Sequence, residues 1–304
     1  MSVFQEVSFD SHGVRCSADL YRPATAGNRL ACVVMGHGGS ATKCLGLPAY
    51  ADKFTAAGLA VLAFDYRHFG ASGAGPRQVI DVAEQQDDYR SAVRYARGRD
   101  DIDPRRIALW GTSLSGGHVL TVAATDPGIA AVVSQVPLID GWHRGRRLRE
   151  RLSWDVTWRT LQFTVAAVRD VVGAKLGRGP YLVPVVGDSG GAAVFTEPEA
   201  KAAFEALGGE AVGWVNALAP RMLFALPRYR NGTAEKLHMP VLMCVGDHDL
   251  QASPRFAVRI ASGMNNVELH RYPVGHFDVY TGTLFEETSA VETEFLRRHL
   301  VRDP

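Results

Sequence analysis

Ile107-Ala108-Leu109-Trp110-Gly111-Thr112-Ser113-Leu114-Ser115-Gly116-Gly117-His118-Val119-Leu120 decides how this chain folds. A short apolar run ends in Gly-x-Ser-x-Ser-Gly-Gly, and an apolar run with helical spacing follows, which reads as strand, sharp turn, helix. A serine at the apex of such a turn holds a strained backbone, with its hydroxyl thrown clear of the sheet. The turn brings neighbouring backbone close, so the flanking side chains must be small, as Gly111, Ser115, Gly116 and Gly117 are. The helix starting after Ser113 aims its free N–H groups at any charge that develops there. The competing reading is a crossover whose glycines serve only packing. Ser115 stands where the commoner Gly-x-Ser-x-Gly pattern has its second glycine.

Outward from this segment, the chain alternates apolar runs with helical stretches. Leu30 to Met35, Leu59 to Phe64, Ile129 to Val136 and Val241 to Val245 are continuous apolar runs, as expected of strands buried on both faces, and Val267 to Tyr272 is the last strand. Helices are expected over Pro48 to Ala57, 78–97, Pro254 to Ser262 and Leu284 to Leu300, with a turn at Asp101 to Arg105. Residues 3–9 and 14–21 alternate apolar and polar around Asp10-Ser11-His12-Gly13, a β-hairpin pattern. This rhythm predicts an α/β fold with a mostly parallel, doubly wound sheet and right-handed crossovers. It breaks after Asp140. From 141 to 235 the chain carries four of its tryptophans and loops rich in glycine and proline. The expected organisation is a core of residues 1–140 and 236–304, with 141–235 a mostly helical insertion folded over the sheet.

Bulk properties narrow the function. A length of 304 residues suits one large α/β domain with an insertion. A net charge of +1 points to neither nucleic acid nor a membrane surface as partner. No apolar run approaches the roughly 20 residues needed to span a bilayer. Met1 to Glu6 lack the basic and apolar regions of a signal peptide, so a cytoplasmic location is expected. Cys16, Cys32 and Cys244 fall in predicted strands and Cys44 in a loop, without metal or redox spacing. Neither a metal nor another cofactor is expected.

Open parallel sheets build their sites at the carboxyl ends of strands. Ser113, His37-Gly38-Gly39, Asp247 with Asp249, and His276 each follow one. A serine hydroxyl needs a base to become a nucleophile at neutral pH, and histidine has the matching pKa. The histidine in turn needs a carboxylate to fix its tautomer.

In this order and at these places, Gly111-Thr112-Ser113-Leu114-Ser115-Gly116, His37-Gly38-Gly39, Gly246-Asp247-His248-Asp249 and Gly275-His276 resemble the α/β-hydrolases. Phe64 to Gly73 is similar to the bacterial dienelactone-hydrolase-like and acyl-peptidase-like esterases. The resemblance covers nearly the whole chain and places 141–235 as the variable cap. It implies Ser113 as nucleophile, His276 as base, and the amides of Gly39 and Leu114 as the oxyanion hole. For the acid it implies Asp249, with Asp140 and Asp247 as alternatives.

His68, Trp142, Trp154, Trp158, Tyr181 and Trp214, together with Phe224, are candidates to line an apolar cleft above Ser113. His37 is expected to brace the oxyanion loop, His118 to be packed, and His248 to face outward. Arg144, Arg146, Arg147, Arg149 and Arg151 form either a solvated helix face or a patch for an anionic handle, such as the phosphates of coenzyme A. The expected reaction is hydrolysis of a small-molecule carboxylic ester, lactone or thioester. The alternatives are acyl transfer or cyclisation in secondary metabolism, and a short-peptide peptidase, which would want a carboxylate pair in the cap. A non-catalytic receptor is the reading from another class. The C-terminal helix and an exposed edge strand are the candidate surfaces for a homodimer.

Overall fold

The computed structural model describes residues 4–24, 29–143, 154–188 and 191–301. Among them eight strands form one sheet in the order β1-β2-β4-β3-β5-β6-β7-β8. β1 (Phe4–Ser11) and β2 (Val14–Tyr21) make the antiparallel hairpin. His12 and Gly13 both hold positive φ at its turn, the backbone twist that two-residue hairpins need. β2 pairs antiparallel with β4 (Ala60–Phe64), and from there every pairing is parallel. β3 (Leu30–Gly36), β5 (Ile102–Thr112), β6 (Ala131–Gln135) and β7 (Val241–Gly246) fill the middle, and β8 (Val267–Tyr272) closes the edge.

Helices cover both faces, which is why the central strands are continuous apolar runs. α1 (Leu47–Ala56) and a long C-terminal helix (Gly282–Leu300) lie on one face, where Tyr50, Phe54, Trp110, Phe295 and Leu296 pack together. α2 (Val82–Arg97) and α3 (Leu114–Ala123) lie on the other, over Phe64, Tyr89, Leu109 and Val119.

Two local expectations change. The predicted turn at Asp101 to Arg105 is the start of β5. The Leu30 amide donates to the Asp101 carbonyl at 2.9 Å and Ile102 is fully buried beside it. The strand reaches its apolar run through a register shift between Leu30 and Cys32. α2 begins at Val82 rather than 78, because the Asp81 carboxylate accepts from the amides of Ala83 and Glu84 and caps the first turn.

Between β6 and β7 lie α4 (Trp154–Lys175), α5 (Pro198–Ala206) and short 3₁₀ turns at Gly209–Val212, Pro220–Phe224 and Ala234–Lys236. Among the described residues, long irregular stretches join them. Buried polar groups organise this segment. The Asp170 carboxylate takes two bonds from the Arg221 guanidinium at 2.6 Å and one from the Tyr181 amide at 2.8 Å. Burial alone would raise this carboxyl, but Arg221 and the amides outweigh it and hold it below the usual range. The Asn216 carboxamide accepts from the amides of both Val185 and Val186. α6 (Pro254–Ala261) follows β7, and the C-terminal helix, Gly282–Leu300, is α7.

Candidate active site

Ser113 sits between β5 and α3 with φ 57° and ψ −118°, a conformation that a non-glycine residue holds only under constraint. The constraint is visible. Its amide donates to the Gln135 carbonyl at 2.9 Å, and its carbonyl accepts from Leu138 at 2.8 Å. The neighbouring glycines are needed for space. A Cβ on Gly111 would stand 2.3 Å from the Ser115 carbonyl oxygen, and one on Gly117 2.3 Å from that of Leu138. Ser115 fits because its hydroxyl has partners, donating to the His37 carbonyl at 2.5 Å and meeting the Tyr66 hydroxyl at 2.5 Å.

The loops after β3, β7 and β8 converge on this turn. Gly246 lets the β8 loop close in, since a Cβ there would stand 2.8 Å from the Val274 carbonyl oxygen. The result is a continuous chain. Ser113 Oγ lies 2.9 Å from His276 Nε2, and His276 Nδ1 lies 2.6 Å from Asp249 Oδ2. The other Asp249 oxygen accepts from the amides of Gln251 and Ala252, so both are engaged. Asp249 and His276 are buried, and Ser113 is half-buried.

The two alternative acids are occupied elsewhere. Asp140 accepts from the amides of Trp142 and Tyr229 and pairs with His143, tying residues 140–143 to 227–229. Burial pushes its carboxyl up, and these bonds more than offset it, so it is held below the usual range. Asp247 pairs with Arg271 at the surface.

Gly39 and Leu114 face one another, with a Cβ on Gly39 3.6 Å from the Leu114 side chain. Among the described residues, no hydrogen bond takes up either amide. His37 is buried, donates from Nδ1 to the Gly38 carbonyl at 2.8 Å, and has its pKa lowered chiefly by burial, so it is neutral. His118 is packed against Gln85, with burial pulling its pKa down to about 3. His248 is exposed.

Ser113 and His276 sit at the junction of two cavities. The larger, about 410 Å³, is lined by apolar side chains that include Ile80, Leu138, Phe163, Phe195, Met222 and Leu250. The smaller, about 40 Å³, lies against Leu45, Phe204, Leu207, Phe277 and Tyr280.

The expected lining aromatics do not form this cleft. α4 turns Val156, Arg159, Thr160, Phe163 and Thr164 inward, which places Trp154 and Trp158 on its outer face. Trp142 is exposed beneath the Arg228 guanidinium, and Tyr181 lies under that of Arg169. Phe224 is exposed while its neighbours Met222 and Leu223 line the cleft. Trp214 is buried, donates from Nε1 to the Ser40 carbonyl at 2.8 Å and packs on Phe204. It braces the loop that carries Gly39. His68 turns toward α2, with Nε2 3.0 Å from Glu84 Oε2, and lines neither cavity. The sequence signal that finds the lining is the helical period of α4, in which 156, 160 and 163 share a face. The arginines of 144–151 lie outside the described residues.

All four cysteines are unpaired, with Cys16, Cys32 and Cys244 buried and Cys44 exposed. Burial pushes the Cys16 and Cys32 thiols up to about 12, so they are inert at neutral pH. Among the described residues no group of His, Cys, Asp or Glu is arranged to hold a metal ion, and no helix is long and apolar enough to cross a membrane.

Comparison with known proteins gives these relationships a family. A family model described as serine aminopeptidase, S33, matches residues 27–279. The quorum-quenching protein AidA of Acinetobacter baumannii is 40% identical over 294 residues, 96% of this chain and 94% of that protein. The thiohydrolase apmlB of Arthrinium phaeospermum is 27% identical over 263 residues, 82% of each chain. The crystal structure of the α/β hydrolase GrgF from Penicillium sp. sh18 superposes with a TM-score of 0.80 at 23% identity, covering 99% of this chain and 100% of that one.

Proposed function

The chain belongs to the serine aminopeptidase S33 family of α/β-hydrolase enzymes, and from that membership we propose that it cleaves a carboxylic ester, lactone or thioester through an acyl-enzyme on Ser113. The observation that carries this reading is the Ser113–His276–Asp249 chain, at 2.9 and 2.6 Å, opening into an apolar cleft of about 410 Å³.

Ser113 Oγ attacks the substrate carbonyl as His276 Nε2 takes its proton. Asp249 keeps the Nδ1 proton on the imidazole and stabilises the imidazolium. The oxyanion falls to the amides of Gly39 and Leu114, and losing one such donor typically costs about 3 kcal/mol of barrier stabilisation. Collapse breaks the bond to the alkoxide or thiolate, which leaves with the proton from His276. Water then attacks the acyl-enzyme, giving its proton to His276, and the acid is released with Ser113 restored. Residues 141–235 act as the cap that shields these steps from bulk solvent.

An ester-type substrate fits better than a peptide with a free amino terminus. Among the described residues the cleft has no carboxylate to hold an ammonium group, and its one guanidinium is that of Arg159. The name of the Acinetobacter relative, a quorum-quenching protein, adds quorum-sensing signals to the substrate panel.

The test is labelling with a fluorophosphonate probe, read by intact mass, on wild type and Ser113→Ala. A single adduct confined to the wild type is expected. A panel of p-nitrophenyl esters, acyl lactones and acyl thioesters, with and without an alcohol acceptor, then identifies the leaving group and separates hydrolysis from acyl transfer. Folded wild type that takes no adduct, or an adduct that persists in Ser113→Ala, would overturn the reading.

A further inference from the structure

The outer face of α4 has no role in the site, yet it carries a continuous run of exposed apolar side chains. Trp154, Trp158, Leu161, Val165, Val168 and Val172 succeed one another at intervals of four, three, four, three and four residues, and Leu176 follows just past the helix end. Trp154 is 81% exposed, and the others lie between 48% and 64%. The alternation of four and three makes Trp154, Leu161 and Val168 recur every seven residues, and Trp158, Val165 and Val172 likewise, the two-position heptad pattern of a coiled-coil seam rather than the broader stripe of a core-facing helix. The inner face of the same helix is already committed, to the cleft through Phe163 and to Arg221 through Asp170. The stripe is therefore a second apolar face on one helix.

We infer that this stripe is a self-association surface, on which α4 packs antiparallel against α4 of a second copy of this chain across a two-fold axis. Two tryptophans and five aliphatic side chains leave on the order of 700 Å² of apolar surface on one copy. That exceeds the few hundred Å² ordinarily left on a monomer and approaches the roughly 800 Å² per partner of a standard interface. A two-fold interface must be self-complementary, and a repeating seam of Leu and Val meets that condition. Antiparallel pairing sets Leu161 against Val165 and Trp158 against Val168 of the other copy, so the bulky tryptophans meet β-branched residues at either end. A lipid surface would select a different helix, with a wide apolar face rimmed by many cations. The cations of α4 are Arg159, Arg169 and Lys175, of which Arg159 faces the cleft and Arg169 covers Tyr181. Pairing would press on the helix whose inner face walls the cleft and hold that wall in place.

The test is the mass of the full chain in solution by light scattering after gel filtration, and by sedimentation, from low to high micromolar concentration. Wild type is expected at twice the 33.0 kDa chain mass. Val165→Asp and Val168→Asp, both at exposed positions, are expected at the single-chain mass with an unchanged far-ultraviolet circular dichroism spectrum. The double variant Leu161→Cys/Val165→Cys should form an interchain disulfide on mild oxidation, where wild type, with only Cys44 exposed, should not. Wild type that stays at the single-chain mass throughout would overturn the inference. Flotation of that monomer with phosphatidylglycerol vesicles would then assign the stripe to lipid. Loss of mass-doubling only on deletion of 144–153, with both aspartate variants still dimeric, would place the interface elsewhere and also overturn it.

Discussion

Ser115 Oγ donates to the carbonyl oxygen of His37, joining the first turn of the helix behind Ser113 to the loop that presents the Gly39 amide. The same hydroxyl meets Tyr66, so one side chain ties together α3 and the loops after β3 and β4. Ser115→Ala strands a buried carbonyl and a buried hydroxyl, which costs about 1–3 kcal/mol. We expect a lower urea midpoint and a kcat reduced about tenfold, with fluorophosphonate labelling of Ser113 retained but slower. An unchanged kcat alongside the loss of stability would show that Trp214, bonded to Ser40, holds the loop without Ser115.

The two acids that follow strand ends separate by substitution. Asp249→Asn leaves His276 without the carboxylate that sets its tautomer, and kcat should fall by about three to four orders of magnitude. Asp140→Asn should keep turnover within a few-fold, because its bonds go to Trp142, Tyr229 and His143. Its cost is expected in stability. The carboxyl is held below its usual range, so that contribution is present at neutral pH and is lost as pH falls through the folded-state value. Thermal melts of the variant and wild type should therefore converge in acid.

Glu292 is fully buried under β5, where its carboxylate accepts from Trp110 Nε1 at 2.8 Å. Burial pushes its pKa up from 4.5 to about 8, against the bonds from Trp110 and Cys244. Below the lower value both folded and unfolded chains carry the proton and there is no penalty. Above it the unfolded chain releases the proton while the fold retains it, so stability drains as pH rises and levels off beyond about 8. Glu292→Gln keeps the acceptor for Trp110 and removes the titration. Its melting temperature relative to wild type should climb between pH 5 and 8, a trend that a purely steric effect would not produce.

Phe163 projects from α4 into the larger cavity. Phe163→Trp takes volume from that cavity while leaving Ser113 and His276 unaltered, so it is expected to tell on a long acyl chain and not on a short one. With about 0.8 kcal/mol for each buried methylene, excluding two of them should lower kcat/KM for a decanoate or longer ester about tenfold. Acetate and butyrate esters should be unaffected. A uniform fall across chain lengths would mean that the substituted helix disturbs Ser113 itself.

The sheet was legible because its signals are local. A strand buried on both faces must be apolar throughout, so Val33, Leu62, Leu109 and Val133 announce themselves without reference to any partner. Ser113, Asp249 and His276 were legible for a related reason, since each follows such a strand within a few residues and the sheet brings strand ends together. For the acid, the resemblance put Asp249 ahead of Asp140 and Asp247 without excluding either. All three follow strand ends, and only the fold shows that Arg271 occupies one and the Tyr229 amide another.

The insertion marks the limit. Its tryptophans carry the strongest apolar signal in the segment, and that signal states only that a surface is sought, by packing, by substrate or by a second chain. Trp214 found the Gly39 loop, while Trp154 and Trp158 turned outward. The sequence by itself determined the α/β sheet, the order of its strands along the chain and the polar residues at their ends, because backbone hydrogen bonding and two-sided burial leave few ways to arrange apolar runs separated by helices. Only the tertiary structure decided which acid meets His276, which side chains wall the cleft and which face of α4 is left bare. Those contacts join residues far apart in the chain, and a helix rotated by one residue, about 100°, exchanges the side chains it presents.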